Sequence, residues 1–236
     1  MKANKSPLLN YLHHLKKQPK GFVYRDQQTK KIAQTKSPLA EEKPLVSTPC
    51  KATLLTTLNG KYINCQECPL AKAGRKQVVF GNGNPETKLM FVGEGPGRDE
   101  DAQGKPFVGR AGQLLTKIIE AMGLTREQIY ISNVVKCRPP ENRTPLPLES
   151  GTCKELLLFK EIDIIKPSII CALGSVATKA LLGEEVTISK TRGIFQDFKG
   201  IPVMPTYHPA YLLRNPAEKK TVWEDMKKIM EELKRL

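Results

Sequence analysis

No run of about 18 consecutive apolar residues occurs in the 236-residue chain, so no membrane-spanning helix and no membrane partner are read from it. The basic N-terminus lacks an apolar core and a small-residue cleavage site. That excludes a secretory signal from the reading and leaves a cytoplasmic location as the expectation. Cysteines are few. Six of them, in a reducing compartment, do not make a disulfide framework, so their spacing is read as chemistry or as packing. The chain's glycine loop is followed by no Gly-Lys-Ser/Thr, which counts against a nucleotide-binding P-loop. Acidic residues are also short of balance. The 38 Lys and Arg exceed the 24 Asp and Glu, giving a formal charge of +14. Such an excess favours a polyanionic partner through counterion release.

The length suffices for one α/β core with an extension. Residues 1–60 stand apart, with five prolines and many Lys, Gln, Ser and Thr. Residues 1–45 hold ten basic and three acidic side chains, a net of +7 and half of the chain's excess. That composition predicts a basic extension, with a short helical stretch at Leu8–Leu15. A folded domain is expected over 61–236.

Past Val78 the pattern alternates. Apolar runs at Leu89–Val92, Ile129–Val135, Ile169–Leu173 and Ile201–Met204 read as buried strands. Helices are predicted between them: Arg110–Met122 ending at Gly123, Leu148–Ile165 stopped before Pro167, and a helix capped by Ser175 and ending at Leu182. Thr125 and Gln128 form a short capping box. Asn215, Pro216 and Glu218 read as cap, first residue and third-position carboxylate of a last helix, with Val222, Met226, Ile229, Met230 and Leu233 on one face. Alternation of this kind predicts a mostly parallel sheet covered on both faces, with ligands beyond the carboxyl ends of its strands. At those ends stand Gly93-Glu94-Gly95-Pro96-Gly97, Asn133 with Cys137, Gly174-Ser175, and Tyr207-His208-Pro209.

Cys65 and Cys68 form a Cys-x-x-Cys pair followed by Pro69, and Cys137 and Cys153 lie 16 positions apart. Four thiolates suit either a structural zinc or an iron–sulfur cluster. A redox Cys-x-x-Cys would leave Cys137 unexplained. Cys171 sits in an apolar strand and reads as core, and Cys50 has no evident partner. A centre on the four would staple residues 65–68 to 137–153, ordering a loop with Lys136, Arg138 and Arg143 that could meet phosphates.

Four ordered segments then carry a resemblance. They are Gly93–Gly97, Gly104-Lys105-Pro106-Phe107-Val108-Gly109, Ser132–Pro140 and His208–Arg214, and together with the cysteines they resemble the family 4 uracil-DNA glycosylases from about residue 61 to the C-terminus. The resemblance implies a three-layer α/β/α fold with a central four-stranded, mostly parallel sheet. It implies a [4Fe–4S] cluster on Cys65, Cys68, Cys137 and Cys153, and a monomer that hydrolyses the N-glycosidic bond of deoxyuridine in DNA. It further implies a uracil pocket of Gly93, Glu94, Gly95, Glu100, Phe107, Asn133 and His208. Phe107 would stack on the base, Asn133 would read its edge, and Glu100 would crowd a thymine methyl. His208 would donate to the leaving uracil, while the backbone near Glu94 and Gly95 would position water. Other families of the superfamily carry aspartate where Gly95 stands, which leaves Glu94 as the nearest carboxylate. Leu212, Leu213 and Arg214 would enter the DNA stack or brace its backbone. Competing readings are a non-enzymatic nucleic-acid-binding module with a metal staple, and a related glycosylase for other deaminated bases.

Overall fold

A computed structural model describes residues 49–236 of the chain. The basic segment over 1–45 and the Leu8–Leu15 stretch lie outside the described residues. The strands are β1 (Asn82–Gly83), β2 (Leu89–Gly93), β3 (Tyr130–Asn133), β4 (Ile169–Leu173), β5 (Gln196–Phe198) and β6 (Ile201–Thr206). The helices are α1 (Lys51–Tyr62), α2 (Arg98–Gln103), α3 (Arg110–Ala121), α4 (Pro147–Cys153), α5 (Phe159–Ile165), α6 (Gly174–Leu182), α7 (Ile188–Thr191), α8 (Pro209–Arg214) and α9 (Lys219–Arg235).

One six-stranded sheet runs in the order β1-β3-β2-β4-β6-β5. Its four central strands are parallel, and the two edges pair antiparallel. The four-stranded parallel sheet of the sequence reading is therefore the centre of a wider sheet. Both added edges escaped the apolar pattern for physical reasons. β1 is two residues long and carries no periodicity. It survives because Gly83, at φ 133°, passes where any Cβ would overlap the Ile129 carbonyl oxygen. β5 joins β6 through Lys199 and Gly200, both at positive φ, the turn that matches the twist of a two-residue hairpin. The lysine there hides the usual Asn-Gly signal.

β2, β3 and β4 are buried along their whole length and β6 from Val203 on, as parallel strands between helical layers must be. Their side chains divide by alternation. Met90, Val92, Ile170 and Ala172 face a layer made by α1, α4, α5 and α6. Leu89, Phe91, Ile169, Cys171 and Leu173 face Leu115 and Ile119 of α3, Leu212 of α8, and Val222, Met226 and Ile229 of α9. This is the α/β/α sandwich. Leu55 and Tyr62 of α1 belong to the first core, so the compositional boundary near residue 60 falls inside a packed helix.

The helix predicted over 148–165 is α4 and α5 joined through a π-helical turn at Lys154–Leu158. That wider turn directly follows Cys153. Two caps differ from expectation. Leu173, not Ser175, is the cap position of α6. Asn215 turns its amide back to the Tyr211 carbonyl at 3.2 Å, and a 3₁₀ turn at Pro216–Glu218 leads into α9. Register makes the carboxyl ends flush: Gly93 pairs with Asn133, and Leu173 with Thr206. The polar loops consequently meet at one edge of the sheet.

Candidate active site

Pairing of Gly93 with Asn133 begins the site. A Cβ at Gly93 would overlap Phe107 Cζ and stand 2.5 Å from Asn133 Oδ1, so ring and amide converge on this one backbone position. Asn133 is 2% exposed, and its Oδ1 has no hydrogen-bond partner. An orphaned buried acceptor costs roughly 1–3 kcal/mol, which a ligand N–H would recover. The Asn133 backbone is fixed independently, because Lys136 Nζ donates to its carbonyl at 2.9 Å.

Phe107 is buried and left-handed, with φ 55°, a strained backbone state for a residue with a side chain. Two contacts hold it. Arg126 donates to the Pro106 carbonyl at 2.9 Å and to the Phe107 carbonyl at 3.1 Å. Gly112 of α3 lies so close that a Cβ there would overlap the Phe107 carbonyl. The ring then lies 5.5 Å from the His208 ring, tilted by 34°.

His208 is the cap residue of α8, and its Nδ1 accepts from the Ala210 amide at 3.1 Å. Burial, reinforced by the Arg214 charge, brings its pKa down to about 4. At neutral pH the imidazole is therefore uncharged. Since Nδ1 is the acceptor, the proton sits on Nε2, which is free to donate.

A 390 Å³ cavity lies between Glu94–Gly97, the Pro139–Thr144 loop, and His208, Tyr211 and Arg214. A second, of 630 Å³, has Glu94, Thr144, Lys154, Ser175 and Lys179 in its wall. Glu94 lines both, and burial raises its pKa. Glu100 is tied to the loops. Its Oε1 accepts from the Val108 and Gly109 amides at 2.9 Å each, and its Oε2 from the Gly97 amide at 3.1 Å. It thus joins the glycine loop to the loop that carries Phe107.

Cys65, Cys68, Cys137 and Cys153 line one cavity, with Cys137 and Cys153 buried. Arg75 Nη1 donates to Cys137 Sγ at 2.7 Å, and the Lys136 amide donates to Cys153 Sγ at 3.3 Å. Donors aimed at sulfur are the outer-shell partners that thiolate-held groups use. Among the described residues, no group of three or more His, Cys, Asp or Glu side chains closes on a single-ion cage. The four thiols share this cavity with Glu67. Cys171 is buried in the core and Cys50 is exposed.

The residues expected to meet DNA divide. Arg138, hydrogen-bonded to Asn142 at 2.8 Å, is on the surface, as are Leu213 and Arg214. Arg143 is half exposed, and it grips the buried Glu149 with two bonds of 2.8 Å. Two expectations fail. Leu212 is fully buried against α3 and α9, because α8 turns that face to the core. Lys136 is 0% exposed and meets no phosphate: its Nζ pairs with Glu161 at 2.6 Å and also donates to Ser132 Oγ.

Sequence reasoning missed three supports: Arg126 behind Phe107, Arg75 at the thiols, and Glu161 beneath Lys136. Each acts on a partner at least ten positions away, and two of them through backbone carbonyls. Neither relation leaves a local pattern.

Comparison with known proteins follows the same lines. A family model described as the uracil DNA glycosylase superfamily matches residues 80–233. The type-4 uracil-DNA glycosylase of Thermotoga maritima is 48% identical over 179 residues, 74% of this chain and 92% of that protein. The type-4 enzyme of Sulfurisphaera tokodaii is 46% identical over 186 residues, covering 75% and 84%. That of Archaeoglobus fulgidus is 41% identical over 179 residues, covering 72% and 89%.

Proposed function

Since the chain belongs to the type-4 uracil-DNA glycosylases of the uracil DNA glycosylase superfamily, we propose that it removes uracil from DNA by hydrolysing the N-glycosidic bond of deoxyuridine. The products are free uracil and an abasic site. The observation that carries the reading is that the Phe107 ring neighbours both an orphaned buried acceptor, Asn133 Oδ1, with which it converges on Gly93, and the ring of a neutral donor, His208, 5.5 Å away.

The glycosidic bond lies inside the base stack, so the nucleotide must first swing out into the protein. Phe107 stacks on the extruded ring. Asn133 Oδ1 accepts from uracil N3–H while its amide nitrogen donates to O4. Cytosine presents the reverse polarity at those atoms and leaves the amide mis-paired. Glu100 shapes the loop that closes on the position of a thymine methyl.

Breaking the C1′–N1 bond sends its electron pair to uracil and leaves positive charge on the sugar. His208 Nε2–H donates to uracil O2, where negative charge grows, so the bond strengthens as the reaction advances. A neutral imidazole suits this task because its proton is held, not surrendered. Glu94 and the Gly93–Gly95 backbone hold the water that adds to C1′; its hydroxyl stays on the sugar, its proton passes to solvent, and the departed uracil anion takes up a proton from solvent. Arg138, Arg143, Leu213 and Arg214 face the strand.

Cys65, Cys68, Cys137 and Cys153 would hold a [4Fe–4S] cluster, which four thiols around one cavity and the two N–H donors to sulfur fit. When bound, it supplies a tie between the 65–68 loop and residues 137–153. The chain acts as a monomer in the cytoplasm. Among the described residues, no helix is long and apolar enough to cross a membrane.

The test is an oligonucleotide with one uracil, treated with alkali after incubation. Scission at uracil alone, beside intact cytosine, thymine and hypoxanthine controls, supports the reading. Salt-sensitive binding without base release would select a non-enzymatic module, and faster hypoxanthine release a different glycosylase.

A further inference from the structure

Besides α8, a second segment, the loop before α4, borders the active-site cleft. The 390 Å³ cavity is lined by His208, Tyr211 and Arg214 and also by Pro139, Arg143 and Thr144 of the loop before α4. Thr144 also lines the neighbouring cavity with Pro145 and Pro147. Between and beside those prolines stand Leu146, 52% exposed, and Leu148, 65% exposed. Two open leucines two positions apart thus border the polar cleft, and the functional site does not use them.

Their backbone is not loose. Pro145 is buried, Pro147 begins α4, and the Leu146 amide donates to Glu149 Oε2 at 2.7 Å. Glu149 is itself buried and held by both nitrogens of Arg143. That partner and the amide hold its carboxyl below the usual range, so the clamp stays charged and closed. Fixed leucines lose little freedom on insertion. They also stand among cations: Arg143 precedes them in the same loop, and Lys154 and Lys179 line the cavity they border.

We propose that Leu146 and Leu148 form a second apolar wedge, which enters duplex DNA beside the extruded nucleotide while Arg143, Lys154 and Lys179 meet its phosphates. The partner is the base stack of a double helix. Apolar side chains inserted at a base step unstack it, and the vacated contact is replaced by the side chain. The wedge promotes extrusion and touches no reacting atom. A single strand, already unstacked, does not need it. This inference rests on the proposed excision of uracil from DNA.

The test compares wild type, L146A/L148A and L146M/L148M in single-turnover uracil release from the same sequence as duplex and as single strand. On the duplex, the alanine pair is expected to be roughly ten-fold slower, with the single-strand rate within about two-fold and the methionine pair near wild type. A 2-aminopurine placed next to the uracil should brighten on wild-type binding to the duplex, and less with the alanine pair. Equal loss on both substrates, or an unchanged duplex rate, would overturn the wedge and leave uracil excision standing. No release by wild type from either substrate would overturn both.

Discussion

Arg126 sits behind Phe107: its guanidinium takes the carbonyls of Pro106 and Phe107 together and holds the aromatic residue in a left-handed backbone state. Strain at a site persists only where neighbours over-determine it. Arg126→Ala removes that hold. The expected result is a roughly ten-fold fall in uracil release, with a stability loss of about 1–3 kcal/mol for the two freed carbonyls. Arg126→Lys should recover part of the activity through one bond. Single-turnover rates beside thermal melts check this, and an unchanged rate in a folded alanine variant would contradict it.

Asn133 offers a sharper test of base reading. Asn133→Asp keeps the shape and changes the edge. When protonated, the aspartic acid presents a donor and an acceptor that suit cytosine. Uracil release should fall by about ten- to hundred-fold, matching 1–3 kcal/mol for a mis-paired buried group, and slow cytosine release should emerge. Mass analysis of released bases reads both. Loss of uracil release with no cytosine released at any pH would contradict the edge-reading role.

The pH dependence follows from His208. Its pKa in the fold is about 4, below the ordinary 6.5, because burial and Arg214 disfavour the imidazolium. A depressed histidine contributes stability fully above its unfolded value. That contribution is lost as pH falls from about 6.5 towards 4, where the unfolded chain binds a proton that the folded chain resists. Melting temperature should fall over that window in wild type and less in His208→Ala. Release rates should show no His208 inflection near 6.5. Imidazole ¹⁵N signals at pH 6 should report a neutral ring protonated on Nε2, and an imidazolium there would contradict the account.

The thiols make a chemical prediction. Purified without oxygen, the protein should be brown and contain iron and acid-labile sulfide. Cys137→Ala should lose the colour, and melting should drop by roughly 10 °C, since a bound group is folding energy. Stoichiometric zinc without sulfide would refute the cluster.

Much of this was legible in the chain, and the limits have physical causes. The four apolar runs announced the central strands because parallel strands are buried on both faces. Asn133 and His208 stood out as polar residues at the ends of such runs, where parallel sheets place their ligands. The edge strands were too short, or too unusual at Lys199, to announce themselves. Lys136 was misread because a lysine in a loop is usually solvated. Only the fold brings Glu161, 25 positions away on a helix, against it to make a buried pair. Leu212 and Leu213 are neighbours in sequence, and a helix of six residues carries too little pattern to say which faces the core. Arg126 grips carbonyls, which every residue has and no sequence displays.

Single-turnover release of uracil by wild type, His208→Ala and Asn133→Ala tests the account most directly. Wild type should empty the uracil site, and each variant should be slower by about a hundred-fold or more, the usual cost of removing a donor aimed at developing charge or the amide that seats the base. Folded variants that release uracil within a few-fold of wild type would contradict it.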